Sequence, residues 1–371
     1  MARLEEICEI LDSKRVPITA KNRVAGPYPY YGANGIQDYV ADYIFDDELV
    51  LLAEDGGYFG SPDRPIAYRV SGKCWVNNHA HVLKPKDFID VDYLCYSLMF
   101  RDVSDIVNGA TRQKLTQADM RKIEIPVLPF NEQQRVVAEV GKVFELIFLR
   151  KQQLAKLDEL VKARFVELFG TLNDNEKGLD IVSIEELCTL IKDGTHQTPT
   201  YTEDKQNGFK FLSSKDVMTQ KICWDDIKYI PAELHEKLYA TIQPQRNDIL
   251  MSKNGVNYGV AAVNDTDEIF DIYVSLALLR PRTDMVNPVY LRCVINNPDT
   301  KRQFDSSIKG IGVPNLHLGE IKKTKVLLPP IDKQNEFVAF VEQTDKTKLA
   351  IQQSLDKLET LKKSLMQKYF G

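Results

Sequence analysis

The feature that most constrains this chain is an internal repeat of 49 residues. Residues 122–170 align with residues 323–371 without a gap, and 14 of the 49 aligned residues are identical. Each copy ends in Phe-Gly and follows a longer region of its own, residues 1–121 and 171–322. A duplication on this scale predicts two structural units of one design rather than a single core.

Shorter similarities extend the duplication into the regions that precede each copy. Residues 4–8 read LEEIC and residues 184–188 read IEELC, 180 positions later. The long copies are 201 positions apart, so the globular region between the short and the long similarity is about 21 residues longer in its second copy. We therefore expect four segments, which are a globular domain (1–121), a helical spacer (122–170), a second globular domain (171–322) and a second spacer (323–371).

Each spacer predicts one long helix. Asn131 and Asp332 follow prolines and predict N-caps, and Gln134 completes a capping-box pattern in the first copy. Apolar residues recur at intervals of three and four along both spacers, which is typical of a coiled-coil seam. Thr344 and Lys348 interrupt the second seam, so we expect its middle to pack less tightly.

The order of the segments predicts an α+β architecture. A helix from 132 to 168 would be about 55 Å long at the usual rise per residue. Because the ends of a compact domain usually lie close together, the second helix should return antiparallel to the first. We expect two globular α/β domains separated by a pair of long antiparallel coiled-coil helices and related by a pseudo-two-fold axis.

Composition leaves most of the functional argument to local features. The net charge of −5 argues mildly against a nucleic-acid partner, because phosphate binding depends on Lys and Arg. No apolar run is long enough for a membrane span and the N-terminus lacks a signal-peptide core, so we expect a cytoplasmic protein with no membrane partner. The six cysteines form no CxxC pair and predict neither a zinc site nor a disulfide framework.

Motifs for catalysis are missing from the sequence. There is no Walker A motif, and the string nearest to an amino-methyltransferase motif, NNPD at 296–299, lacks the second proline and the aromatic residue. His79 and His81 lie two residues apart without a third ligand nearby, so we expect a hydrogen-bonded structural pair and no metal site. These observations favour a protein that is not an enzyme.

Two similar domains related by a two-fold axis match the symmetry of duplex DNA. Paired readers bind half-sites about 34–36 Å apart, a separation that a long helical spacer can hold. Because the two domains differ in sequence, their half-sites should differ as well. The predicted target is bipartite and asymmetric, with unread base pairs between its halves.

The junctions between the domains and the spacers carry a family resemblance. Residues 125–137 read IPVLPFNEQQRVV and residues 326–338 read VLLPPIDKQNEFV, each after a globular region. This arrangement resembles the specificity subunits of type I restriction–modification systems across essentially the whole chain. Lys333 and Asn335, on either side of Gln334, depart from the usual family pattern.

The resemblance implies the partners and the cofactors. Such subunits have no catalytic centre and no cofactor of their own. They bind duplex DNA and associate with two modification subunits, which methylate adenine using S-adenosylmethionine. Restriction subunits then join for ATP-driven translocation and cleavage, so ATP and Mg²⁺ are expected on the partners.

Candidate DNA contacts are polar and aromatic residues in turns and in the basic loops before each spacer. Asn can pair with adenine, and Lys and Arg contact phosphates. For each group the alternative is a purely structural role, as a packed turn with a core tyrosine or as a solvated face. The candidates are Tyr30, Tyr31, Asn34, Arg112 and Lys114 in the first domain, and His196, Gln197, Lys253, Asn254, Asn257 and Lys309 in the second.

Two other functions remain open from the sequence. The same helical spacer could hold two protein partners apart without touching DNA, as a coiled-coil adaptor. An orphan methyltransferase fragment is the least favoured alternative, since its catalytic motif is missing. Binding to duplex DNA discriminates the first, and binding of S-adenosylmethionine by the chain alone discriminates the second.

Overall fold

A computed structural model describes residues 1–109, 113–308 and 314–371 of the chain. It is a mixed helix and sheet structure of the predicted α+β class. The chain divides into two compact units, one of residues 1–153 with 351–371 and the other of residues 154–350. The boundaries between the units fall inside the two long helices, so each unit contains a piece of both.

Unit 1 is built around a six-stranded sheet. Its strands lie in the order β2-β7-β5-β6-β3-β4, and a separate two-stranded sheet pairs β1 with β8. Its elements are β1 (Ala2–Arg3), α1 (Leu4–Ile7), β2 (Cys8–Ile10), β3 (Ala25–Gly32), β4 (Gly35–Val40), β5 (Phe45–Ala53), β6 (Ala67–Val76), β7 (Ala80–Pro85), α2 (Val91–Met99), α3 (Gln117–Met120) and β8 (Glu124–Ile125).

Unit 2 repeats part of this plan and adds to it. Its main sheet has the order β10-β16-β13-β14, beside a three-stranded sheet β12-β11-β15 and the pair β17-β9. After the helix α4 (Phe130–Phe169) the elements are β9 (Asp180–Ser183), β10 (Cys188–Asp193), β11 (Phe209–Leu212), β12 (Lys228–Ile230), α5 (Ala232–Tyr239), β13 (Ile249–Ser252), β14 (Ala261–Val263), β15 (Phe270–Ile272), β16 (Leu276–Pro281), α6 (Pro288–Ile295), α7 (Pro298–Ser307), α8 (Leu318–Lys323), β17 (Lys325–Leu328) and α9 (Ile331–Phe370).

Each unit contains its own four-stranded antiparallel sheet of the same strand order, which we call the shared sheet. The order β2-β7-β5-β6 in unit 1 corresponds to β10-β16-β13-β14 in unit 2, and every neighbouring pair is antiparallel in both. Strand β13 and the second half of β5, residues 49–53, are buried on both faces and consist almost entirely of apolar residues, as strands covered on both sides usually do. The predicted duplication of the globular domains is therefore confirmed at the level of strand pairing.

The strands before each long helix also correspond. In unit 1, β8 pairs with β1, and the Leu4 amide donates to the Ile123 carbonyl at 2.9 Å. In unit 2, β17 pairs with β9, and the Ile184 amide donates to the Thr324 carbonyl at 3.0 Å. These pairings close each globular domain, because they join its first segment to its last. The similarity between residues 4–8 and 184–188 thus reflects a shared structural position.

The long helices begin slightly earlier than the sequence predicted. Helices α4 and α9 start at Phe130 and Ile331, so Asn131 and Asp332 lie inside the helices and the predicted N-caps were wrong. The carbonyl of Pro129 accepts hydrogen bonds from the amides of residues 132 and 133, and the carbonyl of Pro330 does the same for residues 333 and 334. Backbone carbonyls of the preceding prolines therefore begin both helices.

The predicted seam is present in each unit. In unit 1 the helices are antiparallel, since Tyr369 bonds Glu139 at one end and Ser354 bonds Arg150 at the other. In unit 2 they are antiparallel as well, because Glu336 pairs with Arg164 while Lys348 pairs with Asp158. The seam residues that become buried are Val136, Val140, Val143, Ile147, Phe337, Val341, Leu355 and Leu365.

The two polar residues that interrupt the second seam are accommodated by different means. Thr344 is buried and its hydroxyl donates to the Phe340 carbonyl at 2.9 Å, which satisfies the group inside its own helix. Lys348 keeps its charge near solvent and pairs with Asp158 at 2.5 Å. Neither residue is left as an unsatisfied polar group in the seam.

A buried glutamine fixes the start of each long helix to its domain. Gln133 accepts from the Asp90 amide at 2.9 Å and donates to the carbonyls of Phe88 and Leu128 at 3.0 and 2.8 Å. Gln133 is fully buried, and the Asp90 that it contacts caps α2. The three hydrogen bonds tie the first turn of α4 to the segment that leads into α2 and to the residues between β8 and α4.

The second copy repeats this clamp. Gln334 accepts from the Asn287 amide at 2.8 Å and donates to the carbonyls of Met285 and Pro329 at 3.1 and 2.8 Å. Asn287 caps α6 as Asp90 caps α2. The identity of Gln133 and Gln334 in the aligned repeats therefore has a structural cause, namely three equivalent hydrogen bonds made by a buried side chain.

Candidate nucleic-acid interface

Five segments of unit 1 meet where β5 ends. Glu54, directly after β5, pairs with Arg15 at 2.6 Å and with Lys114 at 2.9 Å. Two residues later, Gly56 accepts from the Asn34 side chain at 2.9 Å. His81, at the start of β7, also lies beside Glu54 at 3.7 Å. We call this group, together with Asp12, the first polar cluster.

The buried part of this cluster is organised by Asp12. One carboxylate oxygen accepts from the Val82 amide at 2.9 Å, and the other lies 2.7 Å from His81 Nδ1 and accepts from Gln117 at 2.8 Å. The second ring nitrogen of His81 lies 2.9 Å from the Leu115 carbonyl. Both ring nitrogens of His81 therefore face acceptor oxygens.

The carboxyl groups of the cluster are held in their charged form. Burial alone would raise the pKa of Asp12, but hydrogen bonds from His81, Val82 and Gln117 outweigh it and leave that pKa below its ordinary value. Burial opposes the charge of Glu54 in the same way, and its contacts with Lys114 and Arg15 lower its pKa overall. The cluster is therefore a compensated network of charges.

The same groups include a possible set of metal ligands. Atoms of Asp12, Glu54 and His81 lie within 4.8 Å of one another. The Arg15 guanidinium contacts both carboxylates, at 3.5 Å from Asp12 and 2.6 Å from Glu54, and so supplies the positive charge that an ion would bring. The geometry favours a structural network. His79 takes no part in the set, and each histidine is hydrogen-bonded to a carboxylate of its own, His79 to Asp55 at 2.8 Å and His81 to Asp12 at 2.7 Å.

Unit 2 has a smaller cluster at the corresponding strand end. Lys253 directly follows β13, and its ammonium lies 2.7 Å from Asp193 at the end of β10. The same carboxylate lies 3.5 Å from His196 Nε2. These three residues and Asn254 form what we call the second polar cluster. Gly194, beside Asp193, passes so near the Ile272 carbonyl that a Cβ there would lie 2.3 Å from its oxygen.

The backbone around the two clusters is equivalent. The Leu115 amide donates to the Glu54 carbonyl at 2.7 Å, and the Leu316 amide donates to the Lys253 carbonyl at 2.8 Å. The next residue along each chain segment forms an isolated antiparallel β-bridge, Asp55 with Lys114 in unit 1 and Asn254 with Asn315 in unit 2. Lys114 and Leu115 in unit 1 are therefore anchored on the same strand end as Asn315 and Leu316 in unit 2.

Several predicted contact residues have structural roles. Tyr30 is buried in unit 1, and Lys253 is buried in its ion pair, so neither side chain is exposed for a DNA contact and these two predictions were wrong. Tyr31 is half-buried against Tyr68, with ring centroids 5.8 Å apart. Arg112 and Lys309 lie outside the described residues.

The remaining candidates lie at the surface of their units. Lys114 is exposed along its stem but is bound to Glu54, and the exposed Asn34 is bound to Gly56. His196 and Gln197 are exposed in the loop after β10, with the His196 side chain 74% accessible. Asn257 is exposed in the loop that joins the antiparallel strands β13 and β14.

Asn254 has a feature that the sequence does not reveal. Its residue is only half-buried, yet its side-chain oxygen is buried and accepts no hydrogen bond from the described residues. It lies beside Asn315, next to the second polar cluster.

The sequence reasoning missed the loop of residues 13–24 in unit 1. The offset of 180 that relates residues 4–8 to 184–188 carries His196 and Gln197 back to Val16 and Pro17, inside this loop. No Asp or Glu occurs from residue 13 to residue 37, whereas four Lys and Arg do. The repeat combined with the charge pattern could have identified it.

Comparison with known proteins identifies the family. Residues 1–159 and 176–361 match the model of the type I restriction modification DNA specificity domain. The match covers most of the sequence, and the chain therefore belongs to this family. Its function is that of a DNA sequence-specificity subunit.

Individual relatives match along most of their length. A putative type I restriction enzyme specificity subunit of Haemophilus influenzae is 27% identical, with 98% of this chain and 94% of the relative covered. The MjaVIII specificity subunit of Methanocaldococcus jannaschii is 20% identical, with 99% and 90% covered. The crystal structure of a type I S subunit from M. genitalium matches with a TM-score of 0.63 at 14% identity, over 100% of this chain and 95% of that one.

These matches decide between the functions that the sequence left open. They support the DNA-specificity role and the α+β fold with its internal repeat, and they do not favour the protein-only adaptor. Within the residues that the structure describes, no helix could serve as a transmembrane span.

Proposed function

We propose that this chain reads a bipartite, asymmetric duplex target with one half-site per unit and itself carries out no chemistry. The observation that supports this most directly is the pair of polar clusters. They occupy the same strand end in two duplicated domains but have different side chains around it. Equivalent frames with unlike surfaces are what a reader of two unlike half-sites requires.

The partner subunits follow from the same proposal. Two modification subunits would assemble with the chain and methylate adenine using S-adenosylmethionine, and restriction subunits would add ATP- and Mg²⁺-dependent cleavage. The buried glutamine clamps support such an assembly, because each fixes the start of a long helix to its domain with three hydrogen bonds. A defined junction at each domain is needed to hold a half-site in register.

The first experiment is methylome sequencing of a host that expresses this chain with its modification subunit. We expect a two-part methylated motif with a gap of fixed length. In a His196→Ala/Gln197→Ala variant, preference should relax in one half of the motif only, by about 1–3 kcal/mol per lost base contact. The other half should be unchanged, since it is read by unit 1.

A matched control is Lys237→Ala, in α5 of unit 2. Its side chain is exposed and pairs with Glu233 four residues away, so the motif should stay the same. A continuous methylated motif, or relaxation of both halves by the His196/Gln197 variant, would contradict the assignment of one half-site to each unit. Failure to co-purify with the modification subunit would contradict the proposed assembly.

A further inference from the structure

The loop of residues 13–24 leads from β2 to β3 and begins at the first polar cluster. Arg15 anchors its start, because the guanidinium pairs with Glu54 and also donates to the Ala80 carbonyl at 2.7 Å. Only short 3₁₀ turns interrupt its irregular course, at Asp12–Lys14 and Ala20–Asn22. Its position is therefore set by side chains and not by strand pairing.

The middle of the loop is held by side chains of the sheet. Trp75 Nε1 donates to the Val16 carbonyl at 2.6 Å. The Tyr30 hydroxyl accepts from the Ile18 amide at 3.0 Å and lies 3.3 Å from the Ile18 carbonyl. Arg23 donates to the same carbonyl at 3.2 Å and lies over the Tyr30 ring at 4.2 Å. The burial of Tyr30 thus supports the loop.

The charges of this loop divide into two kinds. Arg15 and Arg23 form ion pairs within unit 1, with Glu54 and Asp38 respectively. Lys14 and Lys21 are exposed, and no carboxylate among the described residues lies within 4.0 Å of either ammonium group. Lys114, the candidate from the sequence, is by contrast paired with Glu54. The unneutralised positive charge in this part of unit 1 belongs to Lys14 and Lys21.

The duplication supplies an independent reason to consider this loop. In unit 2 the corresponding loop follows β10, starts at the second polar cluster and exposes His196 and Gln197. Residues 194–202 of that loop also contain no acidic residue. Both units thus begin the loop at this point of the shared sheet with a stretch that lacks acidic residues, and in unit 2 Glu203 and Asp204 follow that stretch.

We propose that residues 13–24 form a phosphate-contacting element for duplex DNA, in which Lys14 and Lys21 bind backbone oxygens. This inference rests on the proposed function and adds to it the residues that position unit 1 on the duplex. Lysine contacts to phosphates fix register without reading sequence, and each contributes to the salt dependence of binding. A loop already held by Trp75, Tyr30 and Arg23 loses little conformational freedom when it binds.

The test is a salt titration of DNA binding by the chain assembled with its modification subunits. The variant is Lys14→Gln/Lys21→Gln, and the probes are a duplex with the methylated motif and one without it. Each lost phosphate contact should reduce the slope of log K against log salt by about 0.9, so the double variant should lose about 1.8. Affinity should fall by a similar factor for both duplexes, because the contacts do not read bases.

The matched control is Lys86→Gln/Lys122→Gln, which removes the same charge from unit 1. Both lysines lie beside α1. The Lys86 ammonium donates to the Glu6 carbonyl. Lys122 is next to Arg121, and the Arg121 carbonyl accepts from the Glu5 amide. This control should keep the wild-type slope. An unchanged slope in the Lys14/Lys21 variant would overturn the loop assignment, even if the complex prefers its motif. A wild-type complex without any motif preference would instead overturn the proposed function, while the slopes would still decide the loop.

Discussion

Glu54 in unit 1 and Lys253 in unit 2 occupy the same backbone position with opposite charges. Each directly follows the central strand of the shared sheet, and each carbonyl accepts from the amide of Leu115 or Leu316. Glu54 is surrounded by basic groups, whereas Lys253 is paired with Asp193. The duplicated domains have therefore kept the backbone anchor and inverted the charge of the buried residue beside it.

This inversion shows which part of the duplicated design is constrained. The anchor consists of main-chain hydrogen bonds, which any side chain can make. The side chain only has to find an opposite charge nearby, because a buried charge without a partner is costly. The sequence around the strand end can therefore diverge between units, provided that charges change in pairs. Domains built this way can acquire different surfaces on one frame.

The largest effect should come from breaking this pairing in unit 2. Lys253→Glu would place two carboxylates together in a buried site, and we expect a loss of about 3–5 kcal/mol in the free energy of unfolding of unit 2. Urea unfolding can be followed by the fluorescence of Trp224 in a Trp75→Phe background. The chain has two tryptophans, one in each unit, so this background reports unit 2 alone.

The reversed pair sharpens the comparison. Asp193→Lys/Lys253→Glu restores opposite charges with the polarity found at Glu54, and we expect it to recover at least half of the lost stability. Lys237→Glu, on the exposed face of α5, serves as the control and should change stability by less than about 0.5 kcal/mol. If the reversed pair were no more stable than Lys253→Glu alone, charge pairing would not be the constraint.

A smaller effect, equal in both units, is expected at the glutamine clamps. Gln133→Leu and Gln334→Leu each leave one backbone amide and two carbonyls without their glutamine partner, which should cost about 2–3 kcal/mol in the unit concerned. Trp75 in a Trp224→Phe background reports the first variant and Trp224 reports the second. Gln152→Leu, on the exposed face of α4, is the control. Clearly unequal losses would show that the two clamps are not equivalent.

The smallest effect should be a difference in acid response between the units. The pKa of Asp12 is lowered, so the stability that it contributes to unit 1 is present above its ordinary pKa near 4 and is lost as the pH falls through its folded value. Asp271, in unit 2, has a pKa raised by burial despite its contact with His235. Its folded state holds the proton more tightly, so acidification toward pH 4 should stabilise unit 2 through this group.

Urea unfolding at pH 7, 5 and 3.5 measures this difference with the same two tryptophan reporters. Asp12→Asn should flatten the acid loss in unit 1, and Asp271→Asn should remove the acid gain in unit 2. Asp105→Asn, at an exposed position, should leave both profiles as they are. Parallel pH profiles in the two units would contradict the opposite environments of Asp12 and Asp271.

The clamps and the clusters differ in how far the sequence could predict them. The repeat aligned Gln133 with Gln334 and placed a helix after each, because local patterns determine helices and identical residues reveal equivalent positions. The repeat gave no reason why both positions are glutamine, because the hydrogen-bond partners Phe88 and Met285 lie more than 40 residues away in sequence. The helix starts were misplaced because Pro129 and Pro330, whose carbonyls accept the first helical hydrogen bonds, occupy the N-cap positions that were assigned to Asn131 and Asp332.

From the amino-acid sequence alone one could predict the duplication, the two long helices, the two unlike globular domains and the junction pattern of the family. Periodicity and self-similarity are local or gapless signals, and both can be read along a single chain. The burial of Tyr30 and Lys253 became visible in the tertiary structure alone. The same holds for the approach of Asn34 and Lys114 to the end of β5. The structure also shows that Lys14 and Lys21 have no carboxylate within 4.0 Å among the described residues. The physical reason is that burial and charge pairing depend on which distant segments meet, and strand pairing determines this only once the sheet has formed.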